Sequence, residues 1–178
     1  MKTRAEVGRP KACGPGGSSL LLQFIPMEIP RWITIKRIGD RPKLDPVNFV
    51  ALLPLEEVEV VLQEDGWRRV LMQDVAELNG ERPVLTLEKP LDVFVRRMHL
   101  RAWRRGVVVG NVHLDVLKLA SLPRVVDHFP NHDEGKRYVA SLFARKGYAV
   151  DFVYLSNVAE KHDGYAVKVF KYEQGREI

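Results

Sequence analysis

The sequence has almost no cysteine and no long apolar run. Cys13 is the one cysteine among 178 residues, which excludes an internal disulfide framework and a zinc site built on several thiolates. The apolar run within 18–26 is far shorter than the roughly 18 residues of a membrane span. Glycine-rich stretches such as Gly106–Gly110 have no following Lys-Ser/Thr, so a phosphate-binding loop is also excluded. We therefore expect a cytoplasmic protein with no membrane segment, no metal and no cofactor.

The composition is that of a folded, moderately basic protein. Apolar residues make up 46% of the chain, enough to bury a core. A net charge of +5 favours a polyanionic partner, and the many charged residues with little cysteine are typical of thermophilic proteins. We predict a disordered N-terminal extension over 1–27, an α+β domain over 28–125 and a small helix-strand-strand module over 126–178.

The first half of the α+β domain is predicted to be mainly strands. Alternating or apolar stretches predict strands at Trp32–Ile38, Val47–Leu53 and Val84–Glu88. Between them, Glu64-Asp65-Gly66 is a hairpin signal flanked by residues rich in β-branched side chains, which favours a hairpin. A helix over Leu55–Leu62 is the competing interpretation.

The second half of this domain is predicted to contain two helices. Pro90–Arg105 begins with a proline suited to a first helical turn, and Asn111–Leu122 begins with a capping asparagine. Guanidinium groups match phosphate oxygens and stack on bases, so arginines on the first helix would suit a nucleic-acid backbone. The alternative is a solvated face whose arginines pair with carboxylates elsewhere. The predicted nucleic-acid-binding residues are Arg96, Arg97, Arg101, Arg104 and Arg105.

The C-terminal module has the clearest local signals. Asn131 with Glu134 three residues later predicts a helix start of the capping-box type, and Gly147 suits its end. Ala149–Leu155 reads as a strand covered on both faces. A turn over 161–164 then leads into a second strand, Tyr165–Tyr172.

These residues resemble the C-terminal domain of the archaeal tRNA-splicing endonucleases. The family has a helix ending Tyr-x-x-Leu-x-x-Arg/Lys-Gly-Tyr, a strand ending Asp-Phe-x-x-Tyr, and then His-Ser/Asp-x-Tyr-x-Val-x-Val. The matching residues are Tyr138, Arg145, Gly147, Tyr148, Asp151, Phe152, Tyr154, His162, Asp163, Tyr165, Val167 and Val169. The resemblance implies a restriction-endonuclease-like fold for this module.

The resemblance also implies a role. The family's catalytic tyrosine and histidine fall on Tyr154 and His162, but its glycine- and lysine-rich insertion is absent and its catalytic lysine has no counterpart here. We therefore expect an RNA-associated, non-catalytic subunit, inactive on its own, that acts with a catalytic subunit on precursor tRNA. The alternatives are a stand-alone nucleic-acid-binding protein and an active, metal-independent RNA endonuclease.

Two metal-dependent alternatives are weaker. A nuclease site with Asp151 and Lys168 needs an acidic residue two positions before the lysine, where Ala166 stands. The group His128, His132 and Asp133 does not follow a recognised ligand spacing. Neither pattern predicts a metal site.

Overall fold

The computed structural model describes residues 28–36, 41–70, 75–92, 96–119 and 126–172. The predicted disordered extension over 1–27 lies outside these ranges. Side chains are described throughout them except at 117–119 and 126–129. The strands and helices of the described residues, in chain order, are β1 Trp32–Ile35, β2 Lys43–Pro46, β3 Phe49–Ala51, α1 Leu55–Glu64, β4 Arg68–Arg69, β5 Ala76–Glu77, β6 Leu85–Pro90, β7 Arg96–Arg105, β8 Val107–Leu119, β9 Val126–Asn131, α2 His132–Arg145, β10 Ala149–Tyr154 and β11 Tyr165–Phe170.

These strands form one large and one small sheet. The large sheet has the order β10-β11-β3-β8-β7-β6-β4, and β9 pairs with the far end of β8. The small sheet has the order β2-β1-β5. The large sheet crosses the predicted boundary after residue 125, because β11 runs parallel to β3 with Val167 opposite Phe49. The predicted α+β class is confirmed, while the restriction-endonuclease-like detail stays a prediction.

The large sheet separates two apolar cores. One face carries Leu100 and Val112 and packs against apolar side chains of both helices, including Leu62 and Phe143. The opposite face carries Trp103 and packs against the small sheet. Successive strand residues point to opposite faces, so β7 and β8 contribute to both cores at once.

Helix α2 begins and ends as its sequence predicts. The backbone N–H of Glu134 donates to Asn131 Oδ1 over 3.1 Å, which confirms the predicted cap. Gly147 follows the last turn with a φ of +86°, a left-handed conformation that glycine adopts without strain. Neither helix, at 10 and 14 residues, is long and apolar enough to cross a bilayer.

Three predictions of secondary structure are wrong. The segment predicted as a helix over Pro90–Arg105 contains the end of β6 and all of β7, and the described part of the segment predicted as a helix over Asn111–Leu122, up to Leu119, belongs to β8. The hairpin predicted around Asp65 is instead α1, as the competing interpretation had it. In α1 the buried residues Val58, Val61 and Leu62 recur at helical spacing, and burial of that stripe outweighs the β propensity of valine.

Strand β10 lies at the edge of the large sheet. The prediction that both of its faces are covered is wrong. Phe152 and Tyr154 are about half exposed, at 48% and 54%. The backbone N–H of Phe152 donates to the side chain of the preceding residue, Asp151, over 2.8 Å. One backbone donor of this edge strand is therefore satisfied within the chain.

Candidate metal centre and histidine row

Four histidines form a continuous row in the interior. His99, His113, His132 and His162 stack edge to face, with ring centroids 5.3, 5.4 and 6.1 Å apart along the row. Each is at most 6% exposed. Buried imidazoles need hydrogen-bond partners or ligands for their ring nitrogens, so this histidine row is the most polar feature of the core.

The β7–β8 hairpin positions the first two members of the row. His99 and His113 lie at equal sequence distances on either side of Gly106, which has a φ of +70°, and they face each other in the register of the two strands. His132 is the first residue of α2, where β9 ends. His162 lies in the loop between β10 and β11. Residues far apart in sequence are thus brought into one line.

A buried asparagine fixes the protonation of two of these rings. The Asn111 side-chain N–H group donates to the carbonyl oxygen of Pro46 over 2.7 Å, which sets the orientation of its amide. Asn111 Oδ1 must therefore accept from His113 Nδ1, 2.7 Å away. The second amide hydrogen points to His132 Nδ1 at 3.2 Å. His113 thus carries a proton on Nδ1, and His132 presents a lone pair there.

Two further buried asparagines support the row. Asn157 donates to two backbone carbonyls, and its Oδ1 accepts from His162 Nε2 over 3.1 Å. The side-chain N–H group of Asn48 donates to the carbonyl oxygen of Val112 over 2.7 Å, and Asn48 Oδ1 accepts from the backbone N–H of Val112 over 2.8 Å. The Asn48 side chain therefore makes the two hydrogen bonds with Val112 of β8 that a neighbouring strand would otherwise make.

The hairpin cluster consists of His99, His113 and Asp115. One possible ligand atom from each lies within 4.8 Å of the others, and all three side chains are buried. His113 Nε2 is 3.2 Å from Asp115 Oδ1. Ligand atoms around a tetrahedral zinc ion lie about 3.3 Å apart, given bonds of about 2.0–2.1 Å. The spacing of this pair therefore matches one edge of such a tetrahedron.

The position of the proton on His113 decides how its Nε2 atom can interact with Asp115. Its Nδ1 proton is donated to Asn111, so Nε2 of the neutral ring presents a lone pair to the Asp115 carboxylate. Two acceptors at this separation repel unless a positive group joins them. Either a second proton on His113 or a metal ion supplies it. A ligating histidine whose other N–H is held by a protein oxygen is the usual arrangement at metal sites.

Charged neighbours shape the hairpin cluster. Burial alone would raise the pKa of Asp115, but nearby positive charge, including that of Arg97, lowers it below its usual range. Arg97 Nε lies 3.3 Å from the second carboxylate oxygen of Asp115 and its Nη1 lies 2.9 Å from Glu88. Burial also lowers the pKa of His99 well below its usual range. Asp115 is thus ionised and His99 neutral, the forms in which both bind metals.

The other half of the row is built around a lysine. The lysine cluster consists of Asp133, Lys136, His162 and Asp163. Lys136 Nζ lies 2.8 Å from Asp133 Oδ1 and also contacts Asp163 Oδ1, while His162 Nδ1 is 3.6 Å from Asp133 Oδ1. Burial, followed by the charge of Lys136, lowers the pKa of His162, and burial lowers that of His132 to about 2. The buried ammonium group already supplies the cation that these carboxylates need.

A cleft opens beside the hairpin cluster. The hairpin cleft has a volume of about 200 Å³. Its walls include residues of the hairpin cluster and residues of β2 in the small sheet. Its charged and polar lining consists of Lys43, Asp45, Arg97, Arg101, His113 and Asp115. Two of the three cluster side chains, each 3% exposed, therefore border the cleft.

The five arginines predicted to bind nucleic acid do not share one helical face, because they lie on a strand. Arg97, Arg101 and Arg105 point to the side of the histidine row, and Arg96 and Arg104 point to the opposite side. Each has a carboxylate partner: Asp92 for Arg96, Glu88 and Asp115 for Arg97, Asp45 for Arg101, Glu56 for Arg104 and Glu81 for Arg105. Binding of nucleic acid by these residues stays a prediction.

The positions that the family resemblance assigned to catalysis lie in different environments. Tyr154 is 54% exposed and packs against Tyr165, with ring centroids 4.9 Å apart, whereas His162 is 3% exposed in the histidine row. Among the described residues, no hydrogen bond or ring contact joins Tyr154 to His162. His162 is thus buried, although it lies in the predicted turn over 161–164.

The other residues that the sequence suggested as metal ligands have different partners in the structure. Asp151 and Lys168 face each other across β10 and β11, and Asp151 caps a backbone N–H. His132 contacts Asn111, whereas Asp133 contacts Lys136. The side chain of His128 lies outside the described residues. Among the described side chains, these groups therefore do not combine as ligands of one ion.

Sequence analysis missed the hairpin cluster. The available signal was the His-x-Asp spacing of His113 and Asp115, which puts both side chains on one face of a strand, together with the equal distances of His99 and His113 from Gly106. That signal is visible only when both segments are recognised as strands. Comparisons of this chain with family models, with curated proteins and with solved structures found no match.

Proposed function

We propose that the protein binds a divalent first-row transition metal ion, such as Zn²⁺, at the hairpin cluster. His99, His113 and Asp115 would be its ligands. The observation that carries the proposal is the His113 ring, which Asn111 holds so that Nε2 faces the Asp115 carboxylate at 3.2 Å. Imidazole ligands favour such ions over Mg²⁺ or Ca²⁺, which prefer oxygen.

The surroundings of the cluster support a cation there. Asp115, Glu88 and Asp45 contribute three negative charges close by, and Arg97 and Arg101, which contact these carboxylates, contribute two positive charges. The Arg97 contact leaves Asp115 Oδ1 directed at His113. The lysine cluster differs, because Lys136 contacts Asp133 Oδ1, the same oxygen that lies 3.6 Å from His162 Nδ1.

Three protein ligands leave a coordination position for a further group. A zinc ion bound in this way holds water or substrate in its fourth position and acts as a Lewis acid. Asn111 would fix the tautomer of His113, and Arg97 would hold the carboxylate in place. Both are supporting contacts of the kind whose loss weakens metal binding by about 10–100-fold.

The test is calorimetric titration of the untagged, metal-free chain with Zn²⁺, in a Cys13→Ser background that removes the one thiol. We expect one ion per chain. Asp115→Asn should weaken binding at least tenfold, because the amide is a poor metal ligand with nearly the same shape. Asp163→Asn, the same change in the lysine cluster, is the matched control and should leave the affinity unchanged.

Circular dichroism of each variant verifies that it is folded. Absence of binding at one ion per chain, or binding that Asp115→Asn leaves intact, rejects the proposal. The second of these results would mean that the cluster is an imidazolium–carboxylate pair and that the ion binds elsewhere. Visible absorption of the Co²⁺ form would report histidine and carboxylate ligands directly.

A second candidate is the RNA-associated, non-catalytic subunit in the cytoplasm that the tRNA-splicing endonuclease resemblance implies. The order helix, strand, loop, strand over 132–170 supports it, since α2, β10 and β11 follow as that resemblance expects. The isolated chain should then be inactive on precursor tRNA and form a stoichiometric complex with the catalytic subunit of such an enzyme. Sedimentation of the purified mixture tests this, and separate boundaries for the two proteins reject it.

The stand-alone nucleic-acid-binding alternative makes a different prediction. It expects RNA or DNA affinity that falls steeply with salt and is lost in the triple variant Arg97→Ala, Arg101→Ala, Arg104→Ala. Fluorescence anisotropy at two salt concentrations measures this directly. Affinity that is independent of salt or unchanged in the variant argues against it.

A further inference from the structure

The open edge of the large sheet carries a cluster of exposed aromatic side chains. This aromatic edge consists of Phe152 and Tyr154 on β10 and Tyr165 on β11, which are 48%, 54% and 42% exposed. In the register of the two strands, Phe152 faces Val167 and Tyr154 faces Tyr165, so all three rings project from the same side of the sheet. Aromatic side chains gathered on a protein surface are typical of contact surfaces with another protein.

The backbone of β10 is open along the same edge. The N–H of Leu155 donates to the carbonyl oxygen of Gly164 over 2.8 Å, and alternate residues of an antiparallel strand direct their backbone groups to opposite sides. Val150, Phe152 and Tyr154 therefore direct theirs away from β11. Of these six groups, the N–H of Phe152 donates to the side chain of the preceding residue, and the other five have no hydrogen-bond partner within the described part of the chain.

We infer that β10 pairs with β10 of a second copy of this chain. The two strands run antiparallel across a two-fold axis that passes through Phe152, so that the large sheets of the two copies join into one sheet. The inference does not depend on the proposed metal site.

The edge is self-complementary in this arrangement. The axis places Phe152 opposite its own copy and Val150 opposite Tyr154 of the second copy. The backbone groups of all three residues face outward, so each pair can exchange two hydrogen bonds. Asp151 releases the N–H of Phe152 when the strands pair, and its side chain stays next to that of Lys168, which faces it on β11. Pairing therefore satisfies the open backbone groups and covers the aromatic rings together.

Charge favours a protein partner over a nucleic acid. Residues 149–164, which form β10 and the following loop, carry three carboxylates and one lysine: Asp151, Glu160, Asp163 and Lys161. An excess of negative charge repels phosphate groups. A strand edge instead recognises another strand through main-chain hydrogen bonds, and an identical edge forms a closed dimer because the two-fold axis uses the same surface on both copies.

The exposed area indicates a weak dimer. An aromatic side chain buries about 150–250 Å² when it is fully covered, so covering the exposed halves of three rings removes roughly 300 Å² from water in each copy. Strand pairing adds backbone area and brings the interface of the two copies to about 1,000 Å², the lower end for specific association. We therefore expect a dissociation constant of about 1–100 μM.

The first experiment is sedimentation equilibrium of the untagged full chain from about 1 μM to about 1 mM. The weight-average mass should rise from the monomer value of 20.4 kDa towards twice that value. Phe152→Lys should weaken association at least tenfold, because it places two like charges opposite each other at the axis. Val60→Lys is the matched control, since Val60 is 52% exposed on α1, and it should associate as the wild type does.

A disulfide tests the register. In a Cys13→Ser background, Phe152→Cys should form a covalent dimer on mild oxidation, because directly opposed residues of a hydrogen-bonded pair have Cα atoms about 5.5 Å apart, within reach of a disulfide. Tyr165→Cys is the control within the aromatic edge. The two copies of β11 would be three strand spacings apart, about 14 Å, which is too far for a disulfide.

Three results overturn the inference. They are a wild-type chain that stays monomeric at about 1 mM, association that Phe152→Lys leaves unchanged, and crosslinking of Tyr165→Cys in preference to Phe152→Cys. A monomeric chain whose affinity for a short single-stranded RNA falls in Phe152→Ser would assign the aromatic edge to nucleic acid instead. Phe152 is half exposed, so its variants are expected to fold, and circular dichroism verifies this. If Phe152→Lys were unfolded, the two cysteine variants would still decide the question.

Discussion

Gly135→Ala should destabilise the protein, although it places a better helix former in α2. Alanine alone would stabilise a helix by up to about 1 kcal/mol. However, a Cβ atom at this position would lie 2.5 Å from His113 Cα and 2.7 Å from its backbone nitrogen. These are backbone atoms of β8 and cannot rotate away, so α2 and the strand must separate.

Overpacking of this kind costs about 1–3 kcal/mol, and movement of His113 would also strain its 2.7 Å contact with Asn111. After the gain in helix propensity is subtracted, we expect a net loss of about 1–2 kcal/mol of unfolding free energy, which is a fall of roughly 2–8 °C in Tm for a chain of this size. Thermal unfolding followed by circular dichroism measures it. Ser141→Ala, an exposed change on the same helix, should leave Tm unchanged or slightly raised. A Gly135→Ala variant that melts at or above the wild-type temperature would refute the close approach of α2 to β8.

Two further predictions concern other parts of the fold. Burial alone would raise the pKa of Asp65, but hydrogen bonds from Tyr138 and Lys89 outweigh it and lower the pKa; Asp65→Asn should therefore cost about 1–2 kcal/mol at pH 7. Because the folded-state pKa is lowered, this stabilisation is present above the unfolded value of about 3.9 and is lost as pH falls through the folded value. A gap between wild type and variant in urea unfolding that widens as pH falls below about 3.9 would contradict this sign. Asp151→Ala removes the acceptor of an edge-strand N–H and should increase self-association with concentration in sedimentation velocity, whereas Glu160→Ala, in a nearby loop, should not.

The C-terminal elements could be predicted because their signals are local. Asn131 and Gly147 mark the two ends of α2 through contacts within one turn of the chain. The alternation in Tyr165–Phe170 gives β11 in the same way. Such signals depend little on the rest of the protein.

The β7–β8 hairpin could not be predicted in the same way. Arg, Leu, Met and Ala are good helix formers, and Met98 and Ala102 are spaced as on one face of a helix. In the fold, Met98, Leu100 and Ala102 instead alternate into the core next to the helices. Pairing with β6 and β8 outweighs the local preference of the segment, and that pairing is not visible in the segment itself.

The candidate site depends on the same pairing of β7 with β8. It could not be predicted because both segments were predicted to be helices. As helices, the two segments would not place His99 opposite His113. The supporting amides are still harder to foresee, since Asn48, Asn111 and Asn157 come from three distant parts of the chain and meet only in the folded core. A lone asparagine in a sequence carries no sign of such a contact.

All three residues of the hairpin cluster lie on two strands joined by a tight turn at Gly106, and this bears on the order of folding. Closing so short a loop has a small entropic penalty, and contacts between sequence neighbours form early. The lysine cluster, in contrast, needs α2 and the β10–β11 loop to be in place together. A metal ion could thus be captured by the hairpin before the rest of the histidine row assembles. In that case the ion would accelerate folding and leave the unfolding rate nearly unchanged, because its ligands would already be together in the folding transition state.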